Sequence, residues 1–325
     1  MEETHLIGEG THGCAFTPPL PCKKSKTKKS RTVGKIIDKA HADIELKVAT
    51  IVKGIPGWHR YFIVQEEDQC EPKNFRNQRE QHEAECKILQ ATRNRNLTQL
   101  LSPYGGSTLH SIAITSSFDF LGSMKHLLEA ISHLQGQGLC HYDLKDNNMV
   151  IDGVGTLRII DFGSAFLGDH VSEKNIWKHQ YSFLPEYPPQ PPELAVQNGL
   201  YEGIGFRESI SETIRQKRIF KSMERLLGVS VERITSEMEE FWMEDPSWKG
   251  DTWVPFFHKF WRVWDSWAVG IIYMRLLEKS LLLPSFAPIW AEHGPLIRSV
   301  LKGLLEVDPR KRLSGVEAAG MLRFY

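Results

Sequence analysis

An excess of charge of either sign is missing from this chain of 325 residues, in which 40 Lys and Arg stand against 40 Asp and Glu. No overall field therefore points to nucleic acid or to a membrane surface as partner. Cysteine is scarce, with five residues at positions 14, 22, 70, 86 and 140. None stands in a CxxC spacing or with a matching pair of histidines, so a zinc site is not expected and a disulfide framework is not needed. A reducing compartment, the cytoplasm, is the simpler reading. Long apolar runs are lacking too. The most apolar stretch, residues 267–277, is interrupted by Arg275 and closed by Glu278. It is too short to span a bilayer and reads as a helix buried in a protein core. The acidic opening MEETHLIGEG is not apolar enough for a secretory signal. No internal repeat is visible.

What is there is the composition of a globular enzyme, 41% hydrophobic and 25% charged, long enough for two modest domains or one large one. Short strands are expected over 4–8 and 14–17, on either side of a glycine turn. The basic stretch 23–31 follows Pro18, Pro19 and Pro21 and reads as a solvated loop. A β-branched strand is expected over 32–38. A helix is expected over 40–55, with Ile44, Val48, Ile51, Val52 and Ile55 on one face. Residues 61–64 suit another strand, and the polar segment 65–97 is expected to be partly helical around 81–91. The run SPYGG at 102–106 reads as a break between lobes. Beyond it a helix is expected over 121–137, then short strands at 149–151 and 157–160, then loop and helices after Gly163.

Two motifs carry chemistry. The first, GEGTHG at 8–13, supplies Gly8, Gly10 and Gly13. A dinucleotide-binding turn would open a helix at once and want an acidic residue about 20 positions on. Here the prolines at 18, 19 and 21 rule out a long helix, and no acidic residue stands between Glu9 and Asp38. A strand–turn–strand flap over phosphates fits better; a purely structural hairpin is the other reading. The second motif is HYDLKDNN at 141–148 followed by IDFG at 160–163. It offers a carboxylate, Asp143, a lysine two residues on, Lys145, an amide, Asn148, and a second carboxylate, Asp161. Phosphoryl transfer needs this mix: a carboxylate for the acceptor hydroxyl, a cation for the transferred group and oxygen ligands for Mg²⁺.

On these motifs the chain resembles the eukaryotic-type protein kinase superfamily, nearly from end to end. The resemblance implies an α+β, bilobal fold: a β-rich lobe over 1–101, a hinge at 102–106 and a mainly helical lobe over 107–325, with ATP and Mg²⁺ bound in the cleft between lobes. It implies that Gly8, Gly10 and Gly13 cover the phosphates and that Lys35 holds the α- and β-phosphates, with Ala15 and Val150 also among the nucleotide-binding residues. Asp143 would be the catalytic base, Lys145 would contact the γ-phosphate, and Asn148 and Asp161 would hold Mg²⁺. Lysine at 145 is the serine/threonine-type choice. Lys35 needs a glutamate to hold it; Glu45, one short connection away, is favoured over Glu85. Pro191-Pro192-Glu193 resembles the motif before the platform helix, Arg312 would be the ion-pair partner of Glu193, and Asp265-Ser266-Trp267 resembles the start of the buried central helix. All three would hold the substrate platform. Narrower features, the basic-and-proline opening, Tyr104-Gly105-Gly106 and His141-Tyr142-Asp143, look like kinases of nucleocytoplasmic large DNA viruses, which implies host cytoplasm or virion.

The chain departs from the family in places. Val33 and Gly34 replace the usual small apolar pair before the lysine. Tyr142 stands where many relatives carry the arginine that pairs with a phosphate on the activation loop. Ser164, Ser172, Tyr181 and Ser182 then lack that partner, and Phe166, Trp177, Tyr181 and Phe183 are available to hold the loop instead. Segment 194–264 is long, with amphipathic runs and five tryptophans; packing of added helices is favoured over a docking surface for a partner. A protein substrate is expected, with nucleic acid and membrane not. The rivals to a serine/threonine kinase are a pseudokinase scaffold, which the joint presence of Lys35, Asp143, Asn148 and Asp161 argues against, and a small-molecule kinase.

Overall fold

Strand β1 (His5–Glu9) pairs with β2 (Gly13–Thr17), and β2 with β3 (Thr32–Asp38). The computed structural model describes residues 4–9, 13–23, 31–66, 69–72, 86, 96–250 and 252–325. They form two units, Met1–Gly106 with Ile160–Gly163, and Ser107–Ile159 with Ser164–Tyr325.

In the first unit β3 runs directly into helix α1 (Lys39–Lys53), because Asp38 stays extended and its carboxylate caps the Ala40 N–H. Short β4 (Gln69–Cys70) and long β5 (Leu97–Pro103) complete an antiparallel sheet of order β1-β2-β3-β5-β4. The buried face of α1 is Ala42, Glu45, Val48, Ala49 and Val52. The expected face was rotated from this one: Ile44 is 43% exposed, and its neighbour Glu45, about 100° further round the helix, points inward. Residues 61–64 form no strand. They are apolar because they are packed: Tyr61, Phe62 and Val64 are buried, and Phe62 meets the ring of Phe162 edge-on at 6.0 Å. Gly10, Glu85, the expected helix around 81–91 and most of the basic stretch lie outside the described residues.

The cysteines correct the reading that no disulfide framework is needed. Cys14 is bonded to Cys86 and Cys22 to Cys70, across 72 and 48 residues, and only Cys140 is free, buried in the second unit. The side-chain amide of Gln99 on β5 lies against the second of these bonds: it accepts from the Leu20 N–H and donates to the Leu20 carbonyl and to the sulfurs of Cys22 and Cys70. This amide also accounts for Gly34, where a Cβ would stand 2.4 Å from Gln99 Oε1.

The second unit opens with β6 (Ser107–Thr108), α2 (Phe120–Gly136), β7 (Leu139–Cys140), β8 (Met149–Ile151), β9 (Leu157–Ile159) and β10 (Phe166–Leu167). Strands β6, β8 and β9 form one small sheet, β7 and β10 another. Helices follow: α3 (Pro192–Tyr201), α4 (Phe206–Gln216), α5 (Ile219–Leu227), α6 (Val231–Glu244), α7 (Val254–Phe260), α8 (Trp264–Ser280), α9 (Ala287–Leu304) and α10 (Gly315–Met321). Helix α8 is buried on nearly every side and meets α2 through Tyr273 and Phe120, ring centroids 5.5 Å apart. Tryptophans 242, 261 and 264 of the long segment are core residues, with Trp242 stacked on Phe256. Among the described residues no helix is long and apolar enough to cross a membrane.

Candidate active site

Lys35 sits in the middle of β3, opposite Ala15 on β2 and Leu100 on β5. A lysine with 16% of its side chain exposed must find anions. Its Nζ donates to Glu45 Oε1 at 2.6 Å and to Asp161 Oδ1 at 2.8 Å. Glu45 is 1% exposed, and its other oxygen accepts from Gln65 Nε2 at 2.6 Å, so the buried carboxylate is paired on both sides. Burial alone would lower the pKa of Lys35; the negative charges of Asp161 and Glu45 outweigh it and the net shift is upward, so the ammonium persists.

Asp161 has φ of 62°, a left-handed conformation that a non-glycine residue holds only when its surroundings impose it. Those surroundings are visible on both sides of it. Phe162 is fully buried against Phe62, and the Gly163 N–H donates to Asp161 Oδ1 at 3.4 Å. A Cβ at Gly163 would come within 3.2 Å of Glu45 Oε1 and 3.3 Å of Asp161 Oδ1. In the glycine motif, Gly13 is demanded by the sheet, since a Cβ would stand 2.5 Å from the Ile36 carbonyl. Gly8, opposite Ala15 in the register, has open space around it.

In the second unit, β7 and β8 are joined by the loop that carries His141 to Asn148. Asp265 at the start of α8 holds this loop by its backbone: Oδ2 accepts from the His141 N–H at 2.7 Å and Oδ1 from the Tyr142 N–H at 3.0 Å. Asp265 therefore serves the loop, where the sequence reading had it serving the substrate platform. Tyr142 has φ of 68°, and the turn aims Asp143 at its neighbours. Asp143 Oδ2 accepts from Lys145 Nζ at 2.8 Å and from Asn148 Nδ2 at 3.0 Å, and Nδ2 also donates to the Asp143 carbonyl at 2.8 Å. That orientation of the amide leaves Asn148 Oδ1 outside these bonds. Asp143 Oδ1 accepts from the hydroxyl of Tyr187. Val150 lies buried on β8, between Thr108 and Arg158 in the register.

The activation segment packs on aromatic rings. The Tyr142 hydroxyl donates to the His179 carbonyl at 2.8 Å, and its ring stacks on Tyr181 at 5.4 Å and meets Phe166 edge-on at 5.1 Å. Trp177, expected to help, is 62% exposed. Further on, Glu193 and Arg312 form a buried bidentate pair at 2.6 and 2.7 Å, with Arg312 Nε on the Glu306 carbonyl. Sequence reasoning passed over Gln65, Tyr187 and Lys217. None belongs to a motif, and only the folded chain brings Gln65 to Glu45, Tyr187 to Asp143, and Lys217 to the carbonyls of Pro185 and Tyr187.

A family model described as protein kinase domain matches residues 1–195. The chain is 26% identical to the serine/threonine-protein kinase stk11 of Xenopus laevis over 197 residues, 61% of this chain and 34% of that protein. It is 27% identical to STK11 of Homo sapiens over 194 residues, 59% and 34% of the two. A short stretch of 41 residues, 13% of this chain and 3% of the relative, is 49% identical to the serine/threonine-protein kinase PSK1 of Saccharomyces cerevisiae. The chain thus spans about a third of the length of the stk11 relatives it matches.

Proposed function

Because this chain belongs to the protein kinase domain family, we propose that it transfers the γ-phosphoryl group of ATP to serine or threonine hydroxyls of a protein substrate. The observation that carries the reading is Lys35 held between Glu45 at 2.6 Å and Asp161 at 2.8 Å. A buried lysine kept charged on a helix carboxylate is the arrangement that phosphate binding in this family requires.

The residues available to Mg²⁺ fit a hard cation. Asp161 and Asn148 offer the oxygen ligands that Mg²⁺ prefers, and the ion would take its remaining ligands from substrate phosphates and water. Mg²⁺ would neutralise charge on those phosphates. Asp143 orients the acceptor hydroxyl and takes its proton as the new O–P bond forms and the bond from the γ-phosphorus to the bridging oxygen breaks, releasing ADP. Lys145, already ion-paired to Asp143, balances charge on the transferred group. Gly8, Gly10 and Gly13 cover the phosphates, with Ala15 and Val150 beside the nucleotide. Lysine at 145 and the serine/threonine kinases among the relatives support the serine/threonine type. The resemblance of Tyr104-Gly105-Gly106 and His141-Tyr142-Asp143 to viral kinases supports a place in host cytoplasm or virion, and of the two the virion suits the disulfides better. A partner docking on 194–264 would meet Tyr201 and Met243, which are exposed, rather than the buried tryptophans.

The test is to incubate purified protein with labelled ATP, Mg²⁺ and a peptide library. Label is expected on serine- or threonine-containing peptides, and none with Asp161→Ala, which should remain folded. Turnover by Asp161→Ala at the wild-type rate would overturn the metal assignment, and label on tyrosine alone would overturn the serine/threonine assignment.

A further inference from the structure

Tyr187 lies in a proline-rich run, with Pro185 before it and Pro188 and Pro189 after it. Prolines have no N–H, so such a run cannot hold itself in a backbone ladder and must be fixed by donors from elsewhere. Two are present. Lys217, the residue after α4, donates from Nζ to the Tyr187 carbonyl at 2.9 Å and to the Pro185 carbonyl at 3.1 Å. Trp267 on α8 donates from its indole to the Pro188 carbonyl at 3.1 Å. Lys217 is only 1% exposed. A cation that deep is costly to bury, and its pKa is pushed down to about 7 by burial, against the charges of Glu193 and Glu186.

What the clamp holds in place is the Tyr187 side chain. Its hydroxyl donates to Asp143 Oδ1, and Lys145 Nζ lies 3.4 Å from the same hydroxyl and 6.0 Å from the ring centroid. Burial and the Asp143 charge raise the phenol's pKa, so it remains a donor. Asp143 is then tied at both oxygens, Oδ2 by Lys145 and Asn148 and Oδ1 by Tyr187. A carboxylate bonded on one oxygen can rotate about χ2; one bonded on both cannot without breaking a charge-assisted bond. A base in a set orientation meets an acceptor hydroxyl with less reorganisation.

We infer that Tyr187 is a positioning residue for Asp143 and that Lys217 holds it there, so that the segment before Glu193 sets the orientation of the base. The inference rests on the kinase reading above. It predicts that losing one hydroxyl from a residue in neither sequence motif slows transfer.

Four full-length proteins test it: wild type, Tyr187→Phe, Lys217→Met and the double variant, each assayed for kcat, KM for ATP and thermal midpoint. Tyr187→Phe should lower kcat about tenfold, the effect of one lost hydrogen bond to a charge, with KM for ATP and the midpoint unchanged. Lys217→Met should lower kcat similarly, and the double variant should be no slower than Lys217→Met alone, because an unheld tyrosine has nothing left to contribute. Tyr187→Phe at the wild-type kcat, or faster, would overturn the inference; a faster variant would show that the phenol blocks the base. Multiplied losses in the double variant would overturn the part given to Lys217. If Lys217→Met does not fold, Tyr187→Phe alone decides whether Tyr187 positions the base. Absence of transfer by the wild type would fail the kinase reading itself, a result distinct from all of these.

Discussion

Burying charge is unfavourable, and this chain does so where the charges meet one another. Lys35 meets Glu45 and Asp161 in the first unit, and Glu193 meets Arg312 in the second, whereas Asp143 and Lys145 pair where both are partly exposed. Removing one member of a buried pair leaves the other stranded, which costs about 3–5 kcal/mol, whereas removing both and filling the space is nearly neutral. Lys35→Met should therefore lower the thermal midpoint, and Lys35→Met with Glu45→Leu should recover most of that loss without recovering activity. If the double variant melts below the single one, the ion pair itself, rather than the stranded carboxylate, carries the stability. The residues in these groups were legible because they stand in ordered motifs. Glu45 could be preferred from the short connection that joins it to Lys35, and Glu85 lies outside the described residues. Tyr187, Lys217 and Gln65 were not legible, because each acts by proximity across 20 to 44 residues of chain or on a backbone carbonyl.

At the scale of elements, hydrophobic periodicity found α1 and α2, β-branched content found β3, and the glycine-containing turn marked β8 and β9, all close to their bounds. Apolar patterning failed where burial had another cause. Residues 61–64 are apolar because Tyr61, Phe62 and Val64 are buried, Phe62 against Phe162, and α1 turns a glutamate rather than Ile44 to the interior because that glutamate has a lysine to meet. The activation segment matters most for control. A phosphate there would ordinarily bring about −1.5 to −2 charges to an arginine, but position 142 offers a neutral ring already committed to Phe166, Tyr181 and the His179 carbonyl. The segment is thus held by packing, and we expect activity without phosphorylation. The check is to treat the protein with phosphatase, verify by mass spectrometry that residues 164–190 carry no phosphate, and measure the rate. An unchanged rate is expected; a fall of about tenfold or more, about 1.4 kcal/mol of barrier, reversed by rephosphorylation, would contradict it.

For the molecule as a whole, the largest departure from the sequence reading is covalent. Spacing could not reveal the two disulfides, because the partners stand 72 and 48 residues apart in the chain. Without reductant, one thiol per denatured chain should react with a thiol reagent, that of Cys140, and five after reduction; five without reductant would show that the bonds do not form. The family membership itself was readable from the ordered motifs at 8–13, 141–148 and 160–163, because phosphoryl transfer asks for charge and oxygen at defined separations more than for any particular core. The central claim, that the Asp143 carboxylate serves the acceptor hydroxyl in phosphoryl transfer, is tested most directly by Asp143→Asn. The substitution keeps the shape while removing the proton acceptor. With labelled ATP and a phosphorylatable peptide, kcat should fall by roughly 10²–10⁴ while the KM for ATP changes little. Turnover at the wild-type rate, or a large loss of ATP affinity with kcat unchanged, would contradict the account.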